Sequence, residues 1–189
     1  MSDGVNLERS KSRRGLVEVP DLVWAPLAVG GQLLAVGLIA LAAGEPWLFP
    51  SLGPTVYLQA EEPSGSSSRF YNTTVGHLIG FVAGLVAVLA LGASSSPSVL
   101  ASKEITLDRV AAAAIAGALT MLGLALLKAS HPPAAATTLL VALGGISPTW
   151  RGAGMIAAGV LVVAVLGLAL RYLRLVVFPP PAPGVDVPQ

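Results

Sequence analysis

One stretch of the chain gathers residue types suited to binding a small polar solute. It is Ser130-His131-Pro132-Pro133, followed by the small residues Ala134-Ala135-Ala136 and by Thr137-Thr138-Leu139-Leu140. A proline pair is excluded from a helix interior but fits extended backbone or a first helical turn. The spacing therefore predicts a half-helix that opens beside His131. Pro50-Ser51-Leu52-Gly53-Pro54-Thr55 has the same character. A helix N-terminus carries about half a positive charge and unpaired amides, which suit an anion. Hydroxyls of Ser51, Thr55, Ser130, Thr137 and Thr138 add donors, so an anion pathway needs no lysine. His131 is read as a substrate ligand, a proton relay or a cap of the half-helix, because an unperturbed imidazole titrates near neutrality. His77, between Gly76 and Gly80, is the second imidazole, and it also reads as a hydrogen-bonded helix end. The candidate substrate-binding set is His131, Pro132, Pro133, Thr137, Thr138, Ser51, Gly53, Pro54, Thr55 and His77.

Other chemistry is poorly served. Without cysteine the chain has no disulfide, thiolate metal site or thiol nucleophile. It contains neither an HExxH pair nor a GxSxG turn, and no carboxylate pair falls inside an apolar stretch. No catalytic residue, metal or cofactor is expected. Glu45, Glu61 and Glu62 fall at span edges or in a polar loop, where a solvated charge is ordinary. Arg69 and Arg151 would either anchor the interface or attract an anion at a mouth. Asn72-Thr73-Thr74 matches a glycosylation sequon, a pattern too short to carry weight.

The elements that must position these residues are apolar. Hydrophobic residues make up 54% of the chain and charged ones 11%, with mean hydropathy +0.77, whereas a soluble domain is about 25% charged. A net charge of +1 builds no basic stripe, which excludes nucleic acid as a partner. Four stretches suffice to cross a core of about 30 Å: Leu22 to Ala43, Val75 to Leu91, Val110 to Leu127 and Gly152 to Leu170. Between them lie two shorter, proline-interrupted pieces, Pro46 to Ala60 and His131 to Ile146. Irregular backbone at membrane depth must be buried in protein, so both pieces should face the bundle interior. The expected fold is an all-α polytopic bundle of four full spans and two broken or re-entrant half-helices.

An offset of 82 residues lays Pro50, Thr55 and Leu58 over Pro132, Thr137 and Leu140, and Arg69 over Arg151. This suggests internal duplication, with repeat one about 22–93 and repeat two about 107–174 in a transmembrane domain of 22–174. Residues 1–21 read as a cytoplasmic tail and 175–189 as a proline-rich tail. Basic residues favour both termini in the cytoplasm whether the broken pieces re-enter or cross, and their shortness leans toward re-entry. The start matches neither a cleavable signal nor a transit peptide, which points to a bacterial inner membrane. Gly80 with Gly84, Ala113 with Gly117 and Gly154 with Ala158 are small-xxx-small pairs. They are expected to pack within one subunit, with a homo-oligomer face as the other use.

His131-Pro132-Pro133 followed by small residues and threonine resembles the motif that names the HPP family of membrane proteins. Pro50-Ser51-Leu52-Gly53-Pro54-Thr55, Asn72 and Gly76-His77 support the resemblance, which extends over roughly Leu22 to Arg174. It implies a four-helix integral membrane protein, and because plastid and cyanobacterial members are associated with nitrite transport, it implies transport of a small anion such as nitrite. The rival readings are a non-transporting scaffold or assembly subunit and a membrane-embedded enzyme.

Overall fold

Apolar stretches without water must satisfy their backbone amides internally, and in the computed structural model, which describes residues 19–179, they do so as helices. The tail with Arg9, Lys11, Arg13 and Arg14 and residues 180–189 lie outside the described residues. The helices are α1 (Asp21–Ala43), α2 (Leu52–Glu61), α3 (Phe70–Ala90), α4 (Leu107–Leu126), α5 (Ala134–Ala142) and α6 (Trp150–Tyr172). Single turns form at Ser66–Ser68, Ala93–Ser95 and Val99–Ser102, and there is no strand among the described residues. Helices α1, α3, α4 and α6 are long and apolar enough to cross a membrane.

Local chemistry sets the ends. Gly44 closes α1 in the left-handed conformation, its amide reaching back to the Ala40 and Leu41 carbonyls. Thr106 and Thr149 cap α4 and α6 by accepting from the amides of Arg109 and Gly152. Helix α3 starts at Phe70, earlier than the apolar run beginning at Val75, because Asn72 and Thr73 turn inward and are buried. The last helix also outruns its expected end. A π-helical stretch Leu173–Val177 carries the chain past Arg174, whose guanidinium is buried against the Val19 and Phe178 carbonyls, Asp21 and the Trp24 ring.

The two broken pieces run the length of the bundle instead of re-entering. Arg151 at the start of α6 pairs with Glu45 at the end of α1, whereas Arg174 past the end of α6 meets Asp21 at the start of α1. Between these ends, Leu48 packs at Gly37, Gln59 reaches Gln32, and the Pro63 carbonyl accepts from Arg171. The chain from Glu45 to Pro63 thus travels from one end of α1 and α6 to the other. The second piece does the reverse. Tyr71 at the start of α3 donates to the Leu127 carbonyl, while Arg109 at the start of α4 donates to the Ala142 carbonyl. The lean toward re-entry fails because an extended residue advances about 3.3 Å against 1.5 Å in a helix, so an extended arm plus a short helix covers the distance.

Each half of the chain therefore makes three passes, and the second half runs opposite to the first. Outside, the bundle is apolar, with Leu22, Leu41, Leu107 and Trp150 exposed. Inside, Gln32, Ser51, Thr55, Gln59, Asn72, Thr73, His77, Thr120, His131, Thr137 and Thr138 are buried. That polarity, apolar outside and polar within, is what lipid as solvent selects. Helix α3 is the hub and packs most extensively on α5. Gly76, Gly80 and Gly84 make the contact: a Cβ there would come within 2.6 Å of His131 Cβ, 2.6 Å of the Ala134 carbonyl oxygen and 2.8 Å of Val141 Cβ. The Gly80 and Gly84 pair thus packs within the chain. Gly117 and Gly154 meet nothing within 4 Å.

Candidate functional site

The two short helices and the turns that open them meet α3 in one buried volume. Helix α2 brings Ser51 and Thr55 from one direction, and α5 brings His131 and Thr137 from the other. Helix α3 supplies His77 between them. Thr55 Oγ1 lies 2.7 Å from His77 Nε2, and Thr137 Oγ1 lies 2.6 Å from His77 Nδ1. Thr137 donates to Ser51 Oγ at 2.9 Å. His131 Nε2 stands 3.2 Å from His77 Nε2 and 3.3 Å from Thr55 Oγ1. The two rings meet edge to face, their centroids 4.8 Å apart. Both imidazoles and both threonines have no exposed surface.

The arrangement is fixed from outside. His131 Nδ1 donates to the Ser67 carbonyl at 2.8 Å, and that carbonyl can only accept, which assigns the ring's tautomer. Asn72 ties the same corner by donating to the Ser66 and Ser130 carbonyls. Apart from the two imidazoles themselves, no acidic or basic side chain among the described residues hydrogen-bonds to either ring. No group of three or more histidine or carboxylate side chains within metal-binding reach occurs among the described residues.

Of the candidate residues, Ser51, Thr55, His77, His131 and Thr137 converge. Thr138 points away, donating to the Ala134 carbonyl and sharing a 2.7 Å hydrogen bond with Thr120 Oγ1. Pro54 and Pro132 are exposed on the outer face, Pro133 is buried and Gly53 half-buried; the prolines open the helices but offer no donor. The expected free amides are also absent. Leu52 and Gly53 donate to the Phe49 and Pro50 carbonyls, and Ala134, Ala135 and Ala136 donate to those of His131, Pro132 and Pro133. Each helix is entered through a tight turn that uses its first amides, so the donors left to the site belong to side chains.

Two grooves flank α5. One of about 570 Å³ between α4 and α5 is bordered by Thr120, Met121, Ser130, His131 and Thr138, and it brings the outer face of the bundle up to His131. The other, about 540 Å³ between α2 and α5, is bordered by Pro54, Tyr57, Glu61, Pro132 and Leu139. The glutamates stay outside the cluster: Glu45 pairs with an exposed Arg151, and Glu61 and Glu62 border a surface recess beside Arg174. Arg69 and Arg151 sit at opposite ends of the bundle, so they do not form one mouth.

Sequence reasoning missed Gln32 and Gln59. Gln32 donates to Gln59 Oε1 at 2.7 Å and to the Val163 carbonyl at 3.1 Å inside the bundle. The signal was present, since Ser51, Thr55 and Gln59 recur every four residues and place a polar stripe on one face of α2. A glutamine in the middle of an apolar run such as α1 is itself a sign of interior polarity.

A family profile described as HPP, transmembrane region, matches residues 15–177. No curated protein and no solved structure matches the chain.

Proposed function

From the premise that the chain belongs to the HPP transmembrane family, we propose that this integral membrane protein carries a small inorganic anion across the bilayer, with nitrite the leading substrate. One observation carries the reading. Three hydroxyls and two imidazoles converge inside an apolar bundle where no carboxylate reaches, at the first turns of two short helices whose dipoles point their positive ends inward. Buried polar groups without a structural charge to serve are costly in a membrane protein and mark solute pathways. The cluster bonds to itself, so an anion must displace some of those bonds, and α2 and α5 must part to admit it. That favours a carrier cycle over an open pore. We read the two halves as a duplicated unit inserted in opposite directions, in a bacterial inner membrane with both termini cytoplasmic, the side on which the basic residues accumulate.

The test is nitrite uptake into sealed liposomes, comparing the native chain, His131→Ala, Thr137→Val and empty vesicles. Uptake above empty vesicles that falls at least tenfold in either variant supports the reading. Folded native protein with no uptake of nitrite, nitrate or formate removes it in favour of a scaffold role.

A further inference from the structure

The hydrogen-bond directions in the cluster leave a gap. Thr137 gives its proton to Ser51 Oγ, so the 2.6 Å contact with His77 requires Nδ1 of that ring to be the donor. A neutral His77 then carries a lone pair on Nε2. His131, with its proton committed to the Ser67 carbonyl, carries a lone pair on Nε2 as well. These two acceptors face each other at 3.2 Å in a volume closed to solvent, with only the Thr55 hydroxyl to share between them.

We propose that the His77–His131 pair binds one proton in this gap and carries it across together with the anion, making transport an electroneutral symport of one proton and one monovalent anion. The proposal rests on the transport reading above. A proton between the two Nε2 atoms converts facing lone pairs into an N–H···N bond and supplies the positive charge that the occupied helix amides do not. A second proton would place two cations 3.2 Å apart, which like-charge repulsion forbids.

The same chain provides a route. When Nε2 of His77 gains the proton, Nδ1 passes its own to Thr137, Thr137 passes its hydroxyl proton to Ser51, and Ser51 releases one. The two hydroxyls end with the proton count they began with, His77 changes from the Nδ1–H to the Nε2–H tautomer, and the bonds point the other way. The groups that contact the pair are the Thr55 and Thr137 hydroxyls and the Ser67 carbonyl, none of which ionises. The charged side chains on the elements that carry or adjoin the pair, Glu61, Arg69 and Lys128, are exposed. The pair is therefore the proton-binding element of the interior.

The chain contains two histidines in all, so ¹⁵N-histidine label reports the pair alone in tag-free protein reconstituted in lipid. The expected result is uptake of one proton per chain, with both rings shifting together and at higher pH when nitrite is present. Two independent titrations, no titration, or indifference to nitrite would overturn the proposal without touching the transport reading. So would a transition metal bound stoichiometrically to both Nε2 atoms in protein as purified. In liposomes, nitrite uptake should rise severalfold under an inward proton gradient, acidify the lumen and ignore an imposed potassium diffusion potential. Thr137→Val should lose the gradient response and Thr137→Ser regain it. Uptake driven by membrane potential and indifferent to the proton gradient would retain transport and refute coupling.

Discussion

Replacing Gly80 by alanine adds one carbon where none fits: its Cβ would stand 2.6 Å from the Ala134 carbonyl oxygen and 2.9 Å from Thr138 Oγ1. Ordinary contact begins at 3.4 Å, and the nearer obstacle is backbone, so α5 must withdraw by roughly 0.8 Å. That movement acts on Thr137, one turn along α5, whose 2.6 Å contact with His77 would stretch to about 3.4 Å, near the limit of a hydrogen bond. Overpacking costs about 1–3 kcal/mol, and alanine returns about 1 kcal/mol of helix propensity, leaving a net loss of about 0–2 kcal/mol. A weakened bond in the cluster worth about 1.4 kcal/mol lowers turnover about tenfold. The control is Gly117→Ala on α4, where an added Cβ meets nothing within 4 Å. Thermal unfolding in detergent and nitrite flux in liposomes read the two quantities separately. Gly80→Ala should lower Tm by a few degrees and flux about tenfold, while Gly117→Ala changes neither or raises Tm slightly. If the two variants behave alike in both assays, the close approach of α3 and α5 does not position the site.

Arg109 is buried and donates to the Ser96, Pro97 and Ala142 carbonyls, closing the C-terminal end of α5. Arg109→Lys should cost roughly 2 kcal/mol or more in thermal unfolding, because a point ammonium cannot span three carbonyls set by a planar fork. Gln32→Leu strands the amide of Gln59, which has no other partner, so the double variant Gln32→Leu/Gln59→Leu should be more stable to unfolding than Gln32→Leu alone, by about 1 kcal/mol. The cysteine-free chain permits single-cysteine labelling with an impermeant maleimide. Ser64→Cys and Lys128→Cys should react from one side of the membrane and Pro46→Cys and Ser147→Cys from the other, whereas labelling of positions 46 and 64 from the same side would restore re-entry.

The four long helices were legible because length and apolarity alone decide them in lipid. So was the position of each short helix, since Pro50 and Pro132 forbid an earlier helix interior. The crossing of the broken pieces was not legible, because charge counts come out alike for both layouts and the reach of an extended arm depends on neighbours that hold it. Among the site residues, His131, Thr137, Ser51 and Thr55 were found by type and spacing, but Thr138 was not separable from Thr137. Adjacent residues on a helix point about 100° apart, and only the packing of α3 on α5 decides which faces His77. The free amides failed for a different reason: sequence shows where a helix starts, but not whether the preceding turn supplies carbonyls to its first donors.

The offset of 82 residues gains physical content from these contacts. Thr55 and Thr137, equivalent under that offset, approach the two nitrogens of one imidazole, at Nε2 and Nδ1 of His77. The positions equivalent to His131 and His77 are Phe49 and Gly159, and these also lie together: a Cβ on Gly159 would meet the Phe49 ring at 2.7 Å. Positions equivalent under the offset thus meet twice, once as a pair of imidazoles and once as a benzene ring on a glycine. Two like halves would give two shallow polar sites on opposite sides of the midplane. Filling one joint with Phe49 removes its polarity and leaves the threonines of both halves to converge on the other. The chemistry is therefore asymmetric under that offset, and the imidazole pair joins the two halves, His77 coming from the first and His131 from the second.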